Sequence, residues 1–216
     1  MIVYEDSEII VCIKPIGLIS QSASDGTQSM VSVLSEKCGC HVYPVHRLDK
    51  DVGGLMVYAK TQKSASALSA QVADRTMIKS YVAVTDEGDI PPEGKMEDLL
   101  FFDKQRNKSF IAKRERKGVK KAVLYYRLVR SAGGRSLYSV RLETGRTHQI
   151  RVQFSSRKTP LCGDIKYGSK DKTSDIALFS HSITFSHPTT NEVLTFTEIP
   201  TKINYPWSLF GSDLSE

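Results

Sequence analysis

Ten consecutive residues, His46-Arg47-Leu48-Asp49-Lys50-Asp51-Val52-Gly53-Gly54-Leu55, place a carboxylate between two cations and just ahead of two glycines. An aspartate flanked by Arg47 and Lys50 is poorly suited to a core. Beside an anionic ligand it stays charged only if neighbouring positive charge supports its ionised form. The glycines permit dihedrals that other residues avoid and let another backbone approach closely. This pattern suits Asp49 to chemistry on a polyanion such as a nucleic acid.

A second constellation is Leu142-Glu143-Thr144-Gly145-Arg146-Thr147-His148-Gln149-Ile150-Arg151. A strand is predicted to end at Thr144, Gly145 to turn, and a helix to begin near Thr147, a good N-cap type. His148 and Arg151 are three apart and share a helix face, while Ile150 and Phe154 anchor another in the core. Free N–H groups at that end, with Arg146 and Arg151, favour an anion, either a phosphate or a buried carboxylate. A capped helix with surface arginines is the plain alternative. In Lys79-Ser80-Tyr81-Val82-Ala83, Tyr81 is either a core ring of a strand or, if it faces Asp49, a platform on which a base stacks.

The net charge of +6 is modest, but residues 104–121 hold nine basic residues and one acid, a local +8 that leaves −2 for the rest. Lys113, Arg114, Arg116 and Lys117 are its densest part. Such a block is the electrostatic footprint of a polyanion binder; a solvated loop is the alternative. Two other motifs fail. His46-Arg47-Leu48-Asp49 is not the kinase catalytic loop, which has aspartate directly after arginine and comes with a Gly-x-Gly-x-x-Gly loop that this chain lacks. Residues 88–95 are not a phosphate loop, because five residues separate the glycines, Met96 replaces the magnesium-binding hydroxyl, and Pro91-Pro92 removes donors. Cys12, Cys38, Cys40 and Cys162 form no C-x-x-C pair and lack partner histidines at metal spacing, so reduced thiols are expected and no metal site. No run of about eighteen apolar residues suggests a membrane span, and the first residues lack the features of a signal peptide.

These groups need a scaffold, and the hydrophobic pattern supplies one. Strands are predicted over residues 2–4, 8–14, 42–46, 54–60, 77–85, 121–130, 137–143, 182–186 and 192–196. Helices are predicted over 27–37, 61–74 and 147–156, with a loop over 88–94. Apolar content of 40% suits a globular chain of 216 residues. No repeat or linker divides the chain, so one α+β domain over residues 1–216 is expected.

In order, Lys14-Pro15-Ile16-Gly17, His46-Arg47-Leu48-Asp49 with Gly54-Leu55, Lys79-Ser80-Tyr81-Val82-Ala83 and residues 142–151 resemble the RluA-type pseudouridine synthases. Gly163-Asp164-Ile165-Lys166-Tyr167-Gly168 and His187-Pro188 extend the resemblance over nearly the whole chain. It departs at Val52-Gly53, where the family usually has threonine and serine. The resemblance implies a catalytic domain alone, without the small S4-like domain many members carry. Its fold would be a mixed, largely antiparallel sheet flanked by helices, with a central RNA-binding cleft. It further implies isomerisation of uridine to pseudouridine in structured RNA, of tRNA or rRNA, without cofactor or metal. By carry-over Asp49 is the catalytic carboxylate, Tyr81 stacks on the uracil and Arg151 pairs with Asp49. Arg47 fills the space of the flipped base or holds its phosphate. His46, Arg146, His148 and the 113–117 cations contact RNA. A cytoplasmic monomer is expected. A non-catalytic RNA-binding protein on the same fold is the alternative, and an enzyme for a small anionic substrate a third.

Overall fold

The computed structural model describes residues 2–23, 26–172, 174–200 and 204–211. In chain order its elements are β1 (Ile2–Glu5), β2 (Ile9–Lys14), α1 (Met30–Cys38), β3 (Tyr43–Pro44), β4 (Gly53–Ala59), α2 (Gln62–Ala73), β5 (Ile78–Asp86), β6 (Glu93–Asp103), β7 (Lys108–Ile111), β8 (Val119–Ala132), β9 (Arg135–Leu142), α3 (Gln149–Ser156), β10 (Leu178–Ser186) and β11 (Val193–Thr197). They fall into two compact units, Met1–Lys79 with Phe179–Glu198, and Ser80–Leu178 with Ile199–Glu216. The class is α+β, as the sequence predicts.

In the first unit β2 pairs antiparallel with β1 and β4, and β10 runs parallel to β4. Strand β11 turns back antiparallel on β10, and β3 pairs with β4. Alternation along the strands turns Ile9, Val11, Leu55, Val57, Ile183 and Phe185 to one core, where Leu68 of α2 and Met77 join them. Helix α2 begins where Thr61 accepts the Ser64 N–H as its N-cap. This packing fixes both ends of the segment that carries Asp49, between β3 and β4.

In the second unit β5, β9, β8, β6 and β7 are neighbours in that order, all antiparallel. Helix α3 docks by Phe154, whose ring meets Tyr138 and Tyr126 at centroid distances of 5.4 and 5.8 Å. Val152 packs with Leu100, Ala122 and Tyr167. Six consecutive residues of α3, from Gln149 to Phe154, are buried, so the helix is packed on nearly all sides.

Two local expectations change. Strands β6 and β7 lie where no strand is predicted; in β6 Asp98 shares the face of Met96 and Leu100 and interrupts their alternation. There it accepts from Gln153 Nε2 at 2.7 Å and Arg157 Nη1 at 2.9 Å. Helix α3 starts later than Thr147: the N-cap position is His148, in the left-handed region at φ 53°, and no side chain of that residue caps the helix. Instead Gln149 turns back, its Oε1 accepting from the Arg146 N–H at 3.0 Å and the Thr144 hydroxyl at 2.7 Å.

Candidate active site

The Asp49 loop is held by its backbone on both sides of the carboxylate. Ser20 Oγ donates to the Leu48 carbonyl at 2.8 Å and accepts the Leu48 N–H at 3.0 Å. The Lys50 carbonyl accepts from the Gly17 N–H at 2.9 Å and from Lys14 Nζ at 3.1 Å. Val52 N–H closes the turn on the Asp49 carbonyl at 3.1 Å. Asp49 itself is half-buried, while the side chains of Arg47 and Lys50 are exposed.

Lys14 carries more of this arrangement than its place in a motif suggests. Its side chain is fully buried, and the ammonium spends its donors on the carbonyls of Pro15, Leu18 and Lys50. Burial pushes it down to about 8, against the pull of Asp51 and Asp49 towards the charged form. Gly54 is the other fixed point. Its φ of +120°, and Ser180 backbone atoms 2.5 Å from where a Cβ would stand, leave room for no side chain where β10 pairs with β4. Gly53 is different: a Cβ there would lie 3.3 Å from the Lys14 carbonyl and otherwise in ordinary contact.

His46 is turned inward. Its Nε2 accepts the Val57 N–H at 3.1 Å, which requires the proton on Nδ1. Burial, and then the charge of Lys79, push the ring down to about 3, so it is neutral at pH 7. It is thus a neutral anchor of the loop to β4, not a surface cation.

Tyr81 is buried on β5, paired in register with Val140 of β9. Arg151 is 2% exposed and holds Asp164 bidentately, Nε to Oδ2 at 2.7 Å and Nη2 to Oδ1 at 2.8 Å. Its guanidinium also lies 5.2 Å from the Tyr167 ring centroid. The Tyr167 hydroxyl is 3.0 Å from His148 Nδ1 and receives the Ser109 N–H at 2.7 Å. Burial pushes that phenol up to about 12, so it stays protonated. His148, left-handed and ahead of the helix, and Arg151 within it do not share a helical face, but both meet Tyr167. Arg146 lies outside this cluster and donates through Nε to the Lys121 carbonyl at 2.9 Å.

The basic block is a hairpin with a loop, not one open loop: β7 pairs with β6, and exposed residues surround it. Some of its charge is committed. Arg116 lies 4.8 Å from the Phe101 ring centroid, Lys108 donates to the Lys166 carbonyl, and Lys121 pairs with Glu97. Lys113, Arg114 and Lys117 are exposed.

Sequence reasoning singled out neither Lys14 as a strut nor Asp164 as the partner of Arg151. A lysine ending the apolar run Ile9–Lys14 was the available signal for the first. For the second there was none beyond its motif, since thirteen residues separate the pair. Among the described residues no three His, Cys, Asp or Glu side chains are grouped to hold a metal ion, and no helix is long and apolar enough to cross a membrane.

Residues 8–156 match the family model described as RNA pseudouridylate synthase. The ribosomal large subunit pseudouridine synthase D of Neisseria meningitidis serogroup A is 35% identical over 215 residues, covering 90% of this chain and 56% of that relative. An uncharacterized RNA pseudouridine synthase of Bacillus subtilis is 33% identical over 207 residues, covering 90% of this chain and 67% of its own length. This chain thus spans little more than half of the first relative. Among solved structures, human RNA Pseudouridylate Synthase Domain Containing 4 superposes with a TM-score of 0.76 at 21% identity, over 99% of this chain and 92% of that one, a likeness of fold.

Proposed function

The chain belongs to the RNA pseudouridylate synthase family, and we propose that it isomerises uridine to pseudouridine in structured RNA with Asp49 as the catalytic carboxylate. The observation that carries this reading is the backbone clamp on Leu48 and Lys50, which fixes the chain on both sides of the carboxylate. In the reaction the N1–C1′ bond breaks, the uracil turns, and C5 bonds to C1′, with a proton lost from C5 and one gained at N1. No group is added or removed, so the requirements are binding, orientation and a charged side chain at the glycosidic bond.

A uridine inside a helix must leave its stack first, at a cost of a few kcal/mol. Arg47 and Lys50, exposed beside Asp49, are suited to holding the displaced nucleotide's phosphates. In this proposal Tyr81 stacks on the uracil and Arg151 supports the ionised form of Asp49. Asp164 fixes the Arg151 guanidinium in one orientation. The exposed Lys113, Arg114 and Lys117 bind backbone at a distance from the chemistry, by counterion release. The proposal takes residues 1–216 as one catalytic domain that acts as a cytoplasmic monomer. Large-subunit ribosomal RNA is the first substrate to examine, since the Neisseria relative is named for it, with tRNA the second. The test is chemical mapping of pseudouridines in total RNA from cells with and without the gene. At least one site is expected to vanish with the gene; an unchanged map contradicts the activity and favours a non-catalytic RNA-binding role.

A further inference from the structure

The phenol of Tyr167 is buried and uses every hydrogen-bonding position it has. Its oxygen accepts the Ser109 N–H at 2.7 Å, donates to the Ser109 carbonyl at 3.2 Å, and takes the Nδ1–H of His148 at 3.0 Å. Ser109 lies on β7, the edge strand beyond β6 and the last strand of the basic hairpin. A second tie runs beside the first, from Ser109 Oγ to the Thr147 carbonyl at 2.6 Å. Lys108, a cation of the basic block, donates to the Lys166 carbonyl and lies 4.9 Å from the Tyr167 ring centroid. Lys166 Nζ in turn donates to the Asn107 carbonyl at 3.3 Å.

The same ring lies 5.2 Å from the Arg151 guanidinium. Ser155 Oγ, one turn further along α3, donates to the Tyr167 carbonyl. His148 reaches the phenol from a left-handed backbone, φ 53°, which residues other than glycine seldom adopt and which persists only where the surroundings impose it. Covering an edge strand needs none of this, since charge, proline or a bulge is enough. One hydroxyl thus joins the strand of the basic hairpin to the residue that precedes α3, and its ring abuts the guanidinium. We propose that Tyr167 is a positioning residue that holds RNA gripped by the hairpin cations in register with the Arg151 guanidinium. The proposal rests on the RNA-directed reading above. Lys113, Arg114 and Lys117 supply affinity wherever the hairpin stands, whereas turnover depends on a fixed separation between the bound backbone and the guanidinium.

The test uses the full chain with Tyr167→Phe, which keeps the ring beside Arg151 and removes only the hydroxyl. Turnover at saturating RNA, affinity by filter binding and melting temperature are measured with a ribosomal RNA that the wild type modifies. Tyr167→Phe is expected to melt about 5 °C lower, because buried groups lose their partner. Assayed well below that temperature, it should bind RNA within about threefold of the wild type while turnover falls at least about tenfold. Lys113→Ala with Lys117→Ala should lower turnover at saturation about threefold when Tyr167 is present and leave it unchanged in Tyr167→Phe. Unchanged turnover in folded Tyr167→Phe would overturn the proposal. So would an equal effect of the two lysines on turnover in both backgrounds. If Tyr167→Phe does not fold, Ser109→Ala, which cuts only the tie to Thr147, decides. A loss of about threefold in turnover at unchanged affinity then supports the proposal, and unchanged turnover overturns it. The Arg151 Nε–H signal, followed by NMR of arginine-labelled protein, gives a readout without activity. It should shift on addition of a large-subunit ribosomal RNA stem-loop in the wild type and far less in Tyr167→Phe. If the wild type forms no pseudouridine and the signal behaves in this way, the activity fails and the positioning role stands. If the wild type is active and Tyr167→Phe keeps its turnover, the positioning role fails alone.

Discussion

The Asp49 loop is held through its backbone, by Ser20, Gly17 and Lys14, whereas Arg151 is held through its side chain, by the buried carboxylate of Asp164. The two arrangements answer differently to mutation. A side chain whose neighbours' backbones carry the anchoring can be replaced without releasing the loop. A guanidinium that neutralises a buried carboxylate cannot be removed without stranding that charge. Loss of activity at Asp49 is therefore expected with little change in stability, while loss at Arg151 is expected together with a large one.

The largest effect is expected from breaking the ion pair. Arg151→Met leaves Asp164 buried without its partner and should cost about 3–5 kcal/mol in denaturant unfolding. Combining it with Asp164→Leu should return most of that loss without returning activity. If Arg151→Met is as stable as the wild type, the pair does not anchor the helix. Next comes the backbone side of the comparison. Gly54→Ala should cost about 3 kcal/mol or more, from a strained φ together with the clash against Ser180. Gly53→Ser, which restores the usual family residue, should shift stability by less than about 1 kcal/mol. Equal penalties at the two glycines would show that the close pairing of β10 with β4 at Gly54 is not what fixes this segment.

A third expectation concerns acid. His46 titrates near 3 when folded against an ordinary 6.5, so between those values the unfolded chain binds more protons. Its contribution to stability is full above pH 6.5 and is lost as pH falls towards 3. By pH 4.5 the loss should reach about 2–3 kcal/mol. In His46→Gln, whose amide oxygen can accept from Val57, this component of the pH profile should be absent; a profile identical to the wild type would remove His46 as the acid-sensitive anchor. The smallest effect on stability is expected in the basic hairpin. Lys113→Ala with Lys117→Ala should change folding by less than about 0.5 kcal/mol and lower the salt slope of RNA binding by about 2. An unchanged slope would show that those cations do not meet phosphates.

The parts of this molecule that repeat a hydrophobic period were legible in the sequence. Ile9, Val11, Leu55 and Val57 announce their strands, and Leu68 with Val72 announces α2. Asp49 was legible because its neighbours are charged and glycine-rich, and because the order of motifs is specific to a family. What stayed hidden depended on polar side chains doing interior work. Lys14 has a charge that normally signals surface, yet it is buried on three carbonyls. Asp98 masks the alternation of β6 because its partners, Gln153 and Arg157, lie more than fifty residues away. The start of α3 moved because His148 takes a left-handed backbone ahead of it and no side chain, Thr147 included, caps the helix, while the Gln149 oxygen turns back to Arg146 and Thr144. Asp164 became visible as the partner of Arg151 only once the loop after α3 was folded, with Gly163 placed where any side chain would strike the Asp175 carbonyl.

The central proposal is that Asp49 performs chemistry from a loop whose backbone is anchored at Leu48 and Lys50. It is tested most directly by Asp49→Asn in purified protein, with pseudouridine formation measured on a ribosomal RNA substrate that the wild type modifies. Product is expected to fall to background while the melting temperature and RNA affinity stay close to wild type. Asp49→Asn that still forms pseudouridine at a rate near wild type would contradict the account.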